Sequence, residues 1–406
     1  MSSGSAAAPA RHSGSVKAWL LHHPLSTYHL LLGTTLLLLL AGLVMVLSAS
    51  SVESYKTFGS SFVLAQRQLM FAVIGVALMF VFSRLPVRVF RAAAWPMLIV
   101  ALVMLVAVLV IGVSVAGQRN WIALGGPFRL QPSEFAKLAL VIWGADLLAR
   151  KRAVLDQWRH LLVPLVPVSL LIIGLVLAEG DVGNTLILLP ILAGLLFAAG
   201  APLRLFVALF ALAVAGVAVM SVVASYRVKR FTAWLDPEAD PLGVGYQLTH
   251  AQFAFATGGW WGQGLGASRE KWGSLPEAHS DFIFAVVGEE LGLAGTLVIL
   301  LLFAVLVFAA LRLARDTHDD FVRYASTAVA AWIGVQTLVN LGAVLGLMPI
   351  TGVTLPLVSY GGSSLLPTLM ALGMLMAFAR REPRRSPAPS TPRATAGTRT
   401  ARAARR

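Results

Sequence analysis

Residues 291–311 read LGLAGTLVILLLFAVLVFAAL, an uninterrupted apolar run of 21 residues. A helix needs about 20 such residues to cross the hydrocarbon core of a bilayer. Comparable runs recur along most of the 406-residue chain, in which 58% of the residues are hydrophobic and 12% are charged. Soluble domains carry about 25% charged residues. The sequence therefore predicts an all-α polytopic membrane protein.

The apolar runs predict ten transmembrane helices and their orientation. Lys and Arg are concentrated in alternate connections and at the C-terminal end, which places both termini in the cytoplasm. The largest connection, residues 225–282, is then an extracytoplasmic loop between helices 7 and 8. The predicted spans cover approximately residues 28–49, 63–83, 95–115, 132–149, 161–178, 183–199, 203–224, 283–311, 322–346 and 363–379.

Two polar segments flank the predicted membrane domain, residues 26–380. Residues 1–25 are rich in small and polar side chains and predict a disordered cytoplasmic tail. Residues 381–406 are rich in Arg and predict a disordered basic cytoplasmic tail, which supplies much of the net charge of +14. This tail has no aromatic side chains to stack on bases, so its composition favours anionic membrane lipids over nucleic acid. The chain has no cysteine, which excludes disulfides and thiolate metal sites.

Residues 275–290, LPEAHSDFIFAVVGEE, gather four carboxylates and a histidine before the apolar run. That run is long enough to span alone, so Glu289 and Glu290 are expected near the outer membrane boundary. If the helix continued outward, Asp281 would lie about 12 Å beyond them, with Glu277 on the same face. Helix capping and solvation of the acids explain this cluster as well as a catalytic role does, and no metal site is predicted.

Polar residues also mark the starts of two other predicted helices. Pro132 suits the first turn of the fourth helix. Glu134 and Lys137 are three residues apart and can form an ion pair there. Asp181 is suited to cap the sixth helix. Each of these features has a structural explanation beside a functional one.

Cations and irregular backbone lie outside the predicted spans as well. GQGLGASREK, residues 262–271, is Gly-rich and ends in cations, which suits a phosphate but also an ordinary surface loop. Arg119 could bind a phosphate through two hydrogen bonds or anchor the chain at the interface. Residues 348–364 contain Pro and Gly that break any helix, and irregular backbone at membrane depth must be buried in protein or line a wet cavity. These features predict a polar cavity on the outer side.

Three blocks of the sequence resemble, in order, the signature blocks of the SEDS family (shape, elongation, division and sporulation), the membrane peptidoglycan glycosyltransferases of bacteria. The resemblance covers about residues 25–380 and is closer to the division members than to the elongation members. The chain departs from the family in EGDVGNT, where QPDxGT is usual, in HSDF for HTDF, and in GQRNWI, which lacks a second basic residue. The blocks are NWIALGGPFRLQPSEFAK, GWWGQGLGASREKWGSLPEAHSDFIFAVVGEELG and GLMPITGVTLPLVSYGGSS.

The resemblance implies an inverting polymerisation of lipid II with release of undecaprenyl pyrophosphate, and it implies Asp281 as the general base. No tightly bound cofactor is implied, although a divalent cation (Mg²⁺ or Mn²⁺) bridging the pyrophosphate is compatible with the chemistry. The implied partners are lipid II, a class B penicillin-binding protein transpeptidase and other division proteins, at the septum of the bacterial cell membrane. Substrate-binding or cavity-lining roles are implied for Lys271, Arg269, Arg119, Glu134, Lys137, Asp181, His279, Glu277, Glu289 and Ser359.

A lipid II flippase, an elongation-type polymerase and a scaffold that only recruits a transpeptidase remain as alternatives. A flippase would carry charges deep in several spans, whereas the mid-span positions here are nearly all apolar. No Walker A motif supports ATP-driven transport.

Overall fold

The computed structural model describes most of the predicted membrane domain. The predicted N-terminal tail, nearly all of the predicted C-terminal tail, and parts of the seventh span and of the long loop lie outside the described residues. Of the seventh predicted span, residues 203–211 are described and are helical. The described residues are 26–115, 118–126, 128–155, 157–211, 234–236 and 243–381.

The described part of the chain is predominantly helical. Apart from the helical residues 203–211 and 234–235, its helices are α1 (Ser26–Phe58), α2 (Val63–Arg84), α3 (Val87–Ile111), α4 (Pro132–Arg150), α5 (Trp158–Leu162), α6 (Leu165–Ala178), α7 (Val182–Ala198), α8 (Val244–Gly258), α9 (Ile283–Asp316), α10 (Asp320–Val344) and α11 (Gly362–Arg381). Single 3-10 turns cover Arg152–Val154 and Glu270–Trp272.

Within these described residues, seven helices are long and apolar enough to cross a membrane, with Arg159–Ala178 counted as one. This confirms a polytopic helical membrane protein, while the number of ten spans stays a prediction. The helix α7 is shorter, and α4 carries charged side chains along an otherwise apolar segment. Pro164 separates α5 from α6, so the fifth span has a break that its hydropathy did not predict.

The helices α10 and α11 form the centre of the bundle, because most of their side chains are buried on all faces. By contrast, α2 and α3 bury one narrow side and expose large apolar residues on the other, such as Val73 and Val103. Apolar residues exposed in this way suit contact with lipid tails. The outer helices therefore shield a central pair whose polar residues face protein.

A small antiparallel sheet departs from the all-α prediction. The strands are β1 (Val113–Val115), β2 (Gln118–Gly125) and β3 (Phe128–Leu130), in the order β1-β2-β3. The third span was predicted to continue to residue 115, but α3 ends at Ile111 and the chain enters β1. Gly125 and Gly126 both have positive φ, which suits the tight turn between β2 and β3. The sheet leads directly into α4.

The helix α9 begins at Ile283, where the eighth span was predicted to start, so it does not continue outward through Asp281. Residues 274–282 form turns instead, and Glu277 has a φ of 55°. The helix is also broken at Gly292, where φ is 68° and ψ is −168°. Asp281 therefore lies on irregular backbone before the helix, and its position depends on contacts with other elements.

The loop after α8 satisfies the backbone groups that the break in α9 leaves free. Two carbonyls before the break accept hydrogen bonds from the loop, and two amides after the break donate to it. Within a membrane helix such replacement is required, because lipid offers no hydrogen bonds. The four bonds are Gln263 N to Glu289 O (2.9 Å), Gly264 N to Glu290 O (3.0 Å), Leu293 N to Gly259 O (2.9 Å) and Ala294 N to Trp260 O (3.1 Å).

Candidate functional site

Asp281 is half-buried on a segment that docks against two other parts of the chain. Each of three consecutive backbone carbonyls in this segment accepts a hydrogen bond. The donors come from α10 and from the irregular segment between α10 and α11, residues 345–361. The bonds are Tyr360 N to His279 O (2.9 Å), Ser359 Oγ to Ser280 O (2.7 Å) and Asn340 Nδ2 to Asp281 O (2.8 Å).

The segment 345–361 is irregular, as predicted, and it is held by side chains from inside the protein. Ser359 Oγ accepts from Leu355 N at 2.8 Å as well as donating to the Asp281 segment. Gln68 of α2 donates to Ser359 O at 3.2 Å and accepts from Gly361 N at 3.1 Å. These bonds replace the helical pairing that Pro and Gly prevent. Ser359 thus supports the segment that carries Asp281.

Glu134 and Lys137 form the predicted ion pair, with 2.7 Å between Lys137 Nζ and Glu134 Oε2. Both side chains are buried, so the pair must be satisfied within the protein. Lys137 Nζ also donates to Asn184 Oδ1 at 3.1 Å and to Gln336 Oε1 at 3.4 Å. It lies 5.2 Å from the centre of the Trp332 ring. The ammonium therefore has both a charge partner and a polar surrounding.

Asp181 caps α7, as predicted, because Oδ1 accepts from Asn184 N at 2.9 Å. Its other oxygen accepts side-chain hydrogen bonds from β2 and from the start of α4 and α7. Asn184 contacts both Asp181 and Lys137, so the structure brings Asp181 and the ion pair together. The donors to Asp181 Oδ2 are Gln131 Nε2 (2.7 Å), Asn184 Nδ2 (2.9 Å), Asn120 Nδ2 (3.2 Å) and Ser133 Oγ (3.4 Å).

Glu179 is a buried acid to which the sequence assigned no role. It follows α6 directly and is 2% exposed, and neither carboxyl oxygen has a hydrogen-bond partner among the described residues. Burial raises its pKa to about 9, and the negative charge of Asp181 adds to that rise. Glu179 is therefore neutral at pH 7. By contrast, Asp181, two residues further along the chain, accepts several hydrogen bonds.

Lys271 and Glu289 belong to a second buried cluster, between the long loop and the start of α9. Lys271 Nζ pairs with Glu290 Oε1 at 2.9 Å and donates to Ser48 Oγ of α1 at 2.9 Å. Glu289 accepts from Ser268 Oγ and from Arg269 N, the latter at 2.8 Å. Solvation does not explain these acids, because Glu289 and Glu290 are 0% and 1% exposed. The cluster attaches the loop to α1 and α9.

The two other predicted phosphate-binding cations are exposed. Arg119 donates from Nη2 to Val110 O at 2.7 Å and from Nε to Gly112 O at 2.9 Å. These carbonyls close α3, where a cation is favoured by the helix dipole. Arg269 lies on the loop beside the buried Lys271 cluster. The structure thus divides the predicted cations between buried ion pairs and exposed positions.

His279 and Glu277 lie beside Asp281 on the docked segment. Burial lowers the pKa of His279, while the nearby carboxylates of Glu277 and Glu53 oppose that shift. The His279 ring packs against Tyr360, with 5.4 Å between ring centres. Glu277 is exposed and accepts a hydrogen bond from Ser280 Oγ. Among the described residues, no three His, Asp or Glu side chains are grouped as metal ligands.

Several amide side chains that organise this region were missed at the level of sequence. Asn340 and Gln336 of α10 and Gln68 of α2 are all buried and all hydrogen-bonded to the segments described above. Their signal was present, because a polar amide within an apolar helix needs a partner inside the protein. The sequence could not reveal which partner each one has.

Comparisons with known proteins all point to one family. The model of the "Cell cycle protein" family FtsW/RodA/SpoVE matches residues 28–384. A probable peptidoglycan glycosyltransferase FtsW of Mycobacterium bovis is 42% identical over 368 residues, covering 90% of this chain and 70% of that one. Stage V sporulation protein E of Bacillus subtilis is 39% identical over 353 residues, covering 86% and 96%.

Solved structures agree with these matches. A chain from a peptidoglycan synthase complex is similar with a TM-score of 0.72 and 33% identity, covering 86% of this chain and 96% of that one. The rod shape determining protein RodA of Thermus thermophilus gives a TM-score of 0.65 and 30% identity, covering 87% and 96%. The chain therefore belongs to the FtsW/RodA/SpoVE family, the SEDS proteins that its signature blocks resemble.

Proposed function

We propose that the protein is a peptidoglycan glycosyltransferase that polymerises lipid II into glycan strands during cell division. Relatives named as probable peptidoglycan glycosyltransferase FtsW share about 40% identity across most of the chain. The observation that carries the chemistry is the seating of Asp281, whose segment is held by α10 and by residues 345–361. A catalytic base must be held in this way to act on a bound substrate.

In the proposed reaction, the Asp281 carboxylate accepts the proton of the C4 hydroxyl of the acceptor sugar. The hydroxyl oxygen forms a bond to C1 of the donor sugar, and the bond from C1 to the pyrophosphate oxygen breaks. The configuration at C1 inverts from α to β, and undecaprenyl pyrophosphate leaves. A base acts within about 2.6–3.2 Å of the proton that it removes.

The leaving pyrophosphate needs positive charge nearby. We assign this role first to Arg269, because its side chain is exposed on the loop before Asp281. Lys271 contributes less in this proposal, since its ammonium is already paired with Glu290. The site in this proposal is shaped by Arg119, Asp181, Glu277, His279, Glu289, Ser359 and the Glu134–Lys137 pair. A divalent cation (Mg²⁺ or Mn²⁺) at the pyrophosphate is compatible with the same chemistry.

We also propose ten spans with both termini in the cytoplasm, the long loop outside, and a location at the division septum. A class B penicillin-binding protein is the proposed partner, in keeping with the similar chain from a peptidoglycan synthase complex. In this arrangement Asp281 faces the compartment in which the glycan strand grows.

The test uses the full chain with its transpeptidase partner in liposomes, supplied with lipid II, and measures strand length on gels. Asp281→Asn is expected to lower the rate by at least about 100-fold. Arg269→Ala is expected to lower it by about 10-fold, with Arg315→Ala, an exposed Arg at the opposite end of α9, as the matched control. Long strands from Asp281→Asn would refute the base assignment. Movement of lipid II between leaflets without polymerisation would favour the flippase.

A further inference from the structure

One face of α10 carries three buried polar side chains at intervals of four residues, Trp332, Gln336 and Asn340. Residues spaced in this way lie in a row along a helix. We infer that Asn340 is a positioning residue that holds Asp281 in place. We also infer that the row, through Gln336, fixes the position of the Lys137–Glu134 pair relative to Asp281. The inference rests on the proposed function, because it concerns the same base.

Asn340 is 1% exposed and uses its amide group to join two segments. Nδ2 donates to Asp281 O at 2.8 Å and to Val353 O at 2.8 Å, so both amide hydrogens are engaged. Both acceptors are carbonyls, which means that only the NH₂ side of the amide can face them. The Asn340 amide therefore has one orientation.

The bond to Asp281 matters because the helix does not hold that residue. The helix α9 starts at Ile283, so Asp281 lies on turns whose shape is set by outside contacts. Asn340 holds its carbonyl, and Ser359 holds the carbonyl before it at 2.7 Å. A displacement of about 1 Å at a reacting group can lower a rate by about 100-fold. Losing the Asn340 bond should therefore displace the Asp281 carboxylate and lower kcat, while KM for lipid II changes little.

Gln336, one turn before Asn340 in α10, contacts Lys137. Gln336 Oε1 accepts from Lys137 Nζ at 3.4 Å and from Trp332 Nε1 at 2.7 Å. Gln336 Nε2 donates to Thr354 O at 2.9 Å, next to the Val353 carbonyl that Asn340 holds. A single rigid helix thus fixes both Lys137 and Asp281, which come from different parts of the sequence.

The test compares two variants that each remove two buried hydrogen bonds. Asn340→Leu has the same number of side-chain heavy atoms and the same branching, and it loses the bonds to Asp281 O and Val353 O. Gln68→Leu is the matched control, because Gln68 is also 1% exposed and makes two bonds to the segment 345–361, but none to Asp281. Both proteins are assayed in liposomes with the partner transpeptidase, and their thermal unfolding is recorded in nanodiscs.

We expect kcat of Asn340→Leu to fall by at least about 30-fold, with KM for lipid II within about threefold of the parent. Gln68→Leu should lower kcat by less than about fivefold at a similar loss of unfolding temperature. Asn340→Gln keeps two donors. Its log kcat should lie at least about a third of the way from that of Asn340→Leu to that of the parent. If Asn340→Leu does not fold, Asn340→Gln and Asn340→Ser, which retains one donor, decide by the same criterion of lower kcat at unchanged KM.

Equal kcat for Asn340→Leu and Gln68→Leu would overturn the inference, as would a change confined to KM. Asp281→Asn is measured in the same series. Full activity of Asp281→Asn would show that the proposed base is wrong, whereas an inactive Asp281→Asn beside an unimpaired Asn340→Leu would refute the positioning role alone.

Discussion

Individual acids at the end of the bundle that carries Asp281 acquire different properties from their surroundings. Asp181 accepts several hydrogen bonds, whereas neither oxygen of Glu179 has a partner among the described residues. Glu290 is paired with Lys271, and Asp281 lies on a docked turn. The same chemical group is thus a cap, a neutral acid, an ion-pair partner and a proposed base within one region.

Glu179 should make stability depend on pH. Its pKa is raised from 4.5 to about 9, so folding takes up a proton between these values and the free energy of unfolding falls as the pH rises through that window. Glu179→Gln removes this uptake. Its unfolding temperature should rise relative to the parent between about pH 5 and pH 8 and stay level above about pH 9. Thermal unfolding in nanodiscs measures this, with the exposed Glu53→Gln as control, and a difference independent of pH would contradict it.

The ion pair between Lys271 and Glu290 should stabilise the folded protein. Lys271→Met leaves Glu290 buried without its charge partner, which typically costs about 3–5 kcal/mol. The double variant Lys271→Met with Glu290→Gln should recover much of that loss, because the unpaired charge is gone. Lys56→Met, at an exposed lysine of α1, is the control. An unchanged unfolding temperature for Lys271→Met would instead indicate that Lys271 serves the substrate alone.

At the scale of elements, the break in α9 and the loop after α8 depend on each other. Gly292 has positive φ, and a Cβ there would approach Gly262 N to 2.3 Å. Gly262 also has positive φ, and a Cβ there would approach Glu290 O to 2.2 Å. Glycine is required where two backbones meet this closely. The break therefore positions the loop that leads to Asp281.

Gly292→Ala should prevent correct folding of this junction, because the added methyl group meets backbone rather than a movable side chain. Gly174→Ala in α6 is the matched control, since a Cβ there meets nothing within 4 Å, and it should change stability by no more than about 1 kcal/mol. Size-exclusion profiles and unfolding temperatures after expression measure both. A monodisperse Gly292→Ala protein with the parent's unfolding temperature would show that the junction tolerates a side chain.

At the scale of the whole molecule, the polar groups are sorted between the two ends of a largely apolar bundle. At the end opposite Asp281, Asp146 is buried between Arg91 at 2.9 Å and Arg150 at 2.6 Å. Arg152 and Arg323 both pair with Asp320 at 2.7 Å. These bridges join α3, α4 and α10 at one end, while the candidate site occupies the other.

The absence of cysteine from the chain allows the proposed topology to be tested directly. Trp261 is 85% exposed on the loop after α8, so Trp261→Cys should react in intact cells with a maleimide that does not cross the membrane. Arg315→Cys, at the opposite end of α9, should react only after permeabilisation. Labelling of the two positions in the reverse pattern would contradict the orientation predicted from Lys and Arg.

Local features of this protein were determined by the sequence alone. The apolar runs predicted the membrane helices, and the spacing of Glu134 and Lys137 predicted their ion pair. Asp181 was predicted as a cap because Asp suits the position before a helix, and it accepts from Asn184 N, three residues away. Such interactions depend on neighbours within about one helical turn, so they can be read from the order of residues.

Other features were decided only by the tertiary structure. Lys271 pairs with Glu290, 19 residues away, and Asn340 holds Asp281 across 59 residues. The break at Gly292 also depends on a contact between distant segments, because Gly292 meets the backbone of Trp260 and Gly262. No local preference determines which buried donor meets which acceptor, because each must find a partner wherever the packed helices place one. The sequence therefore determined which residues carry charge and polarity, and packing decided which of them meet.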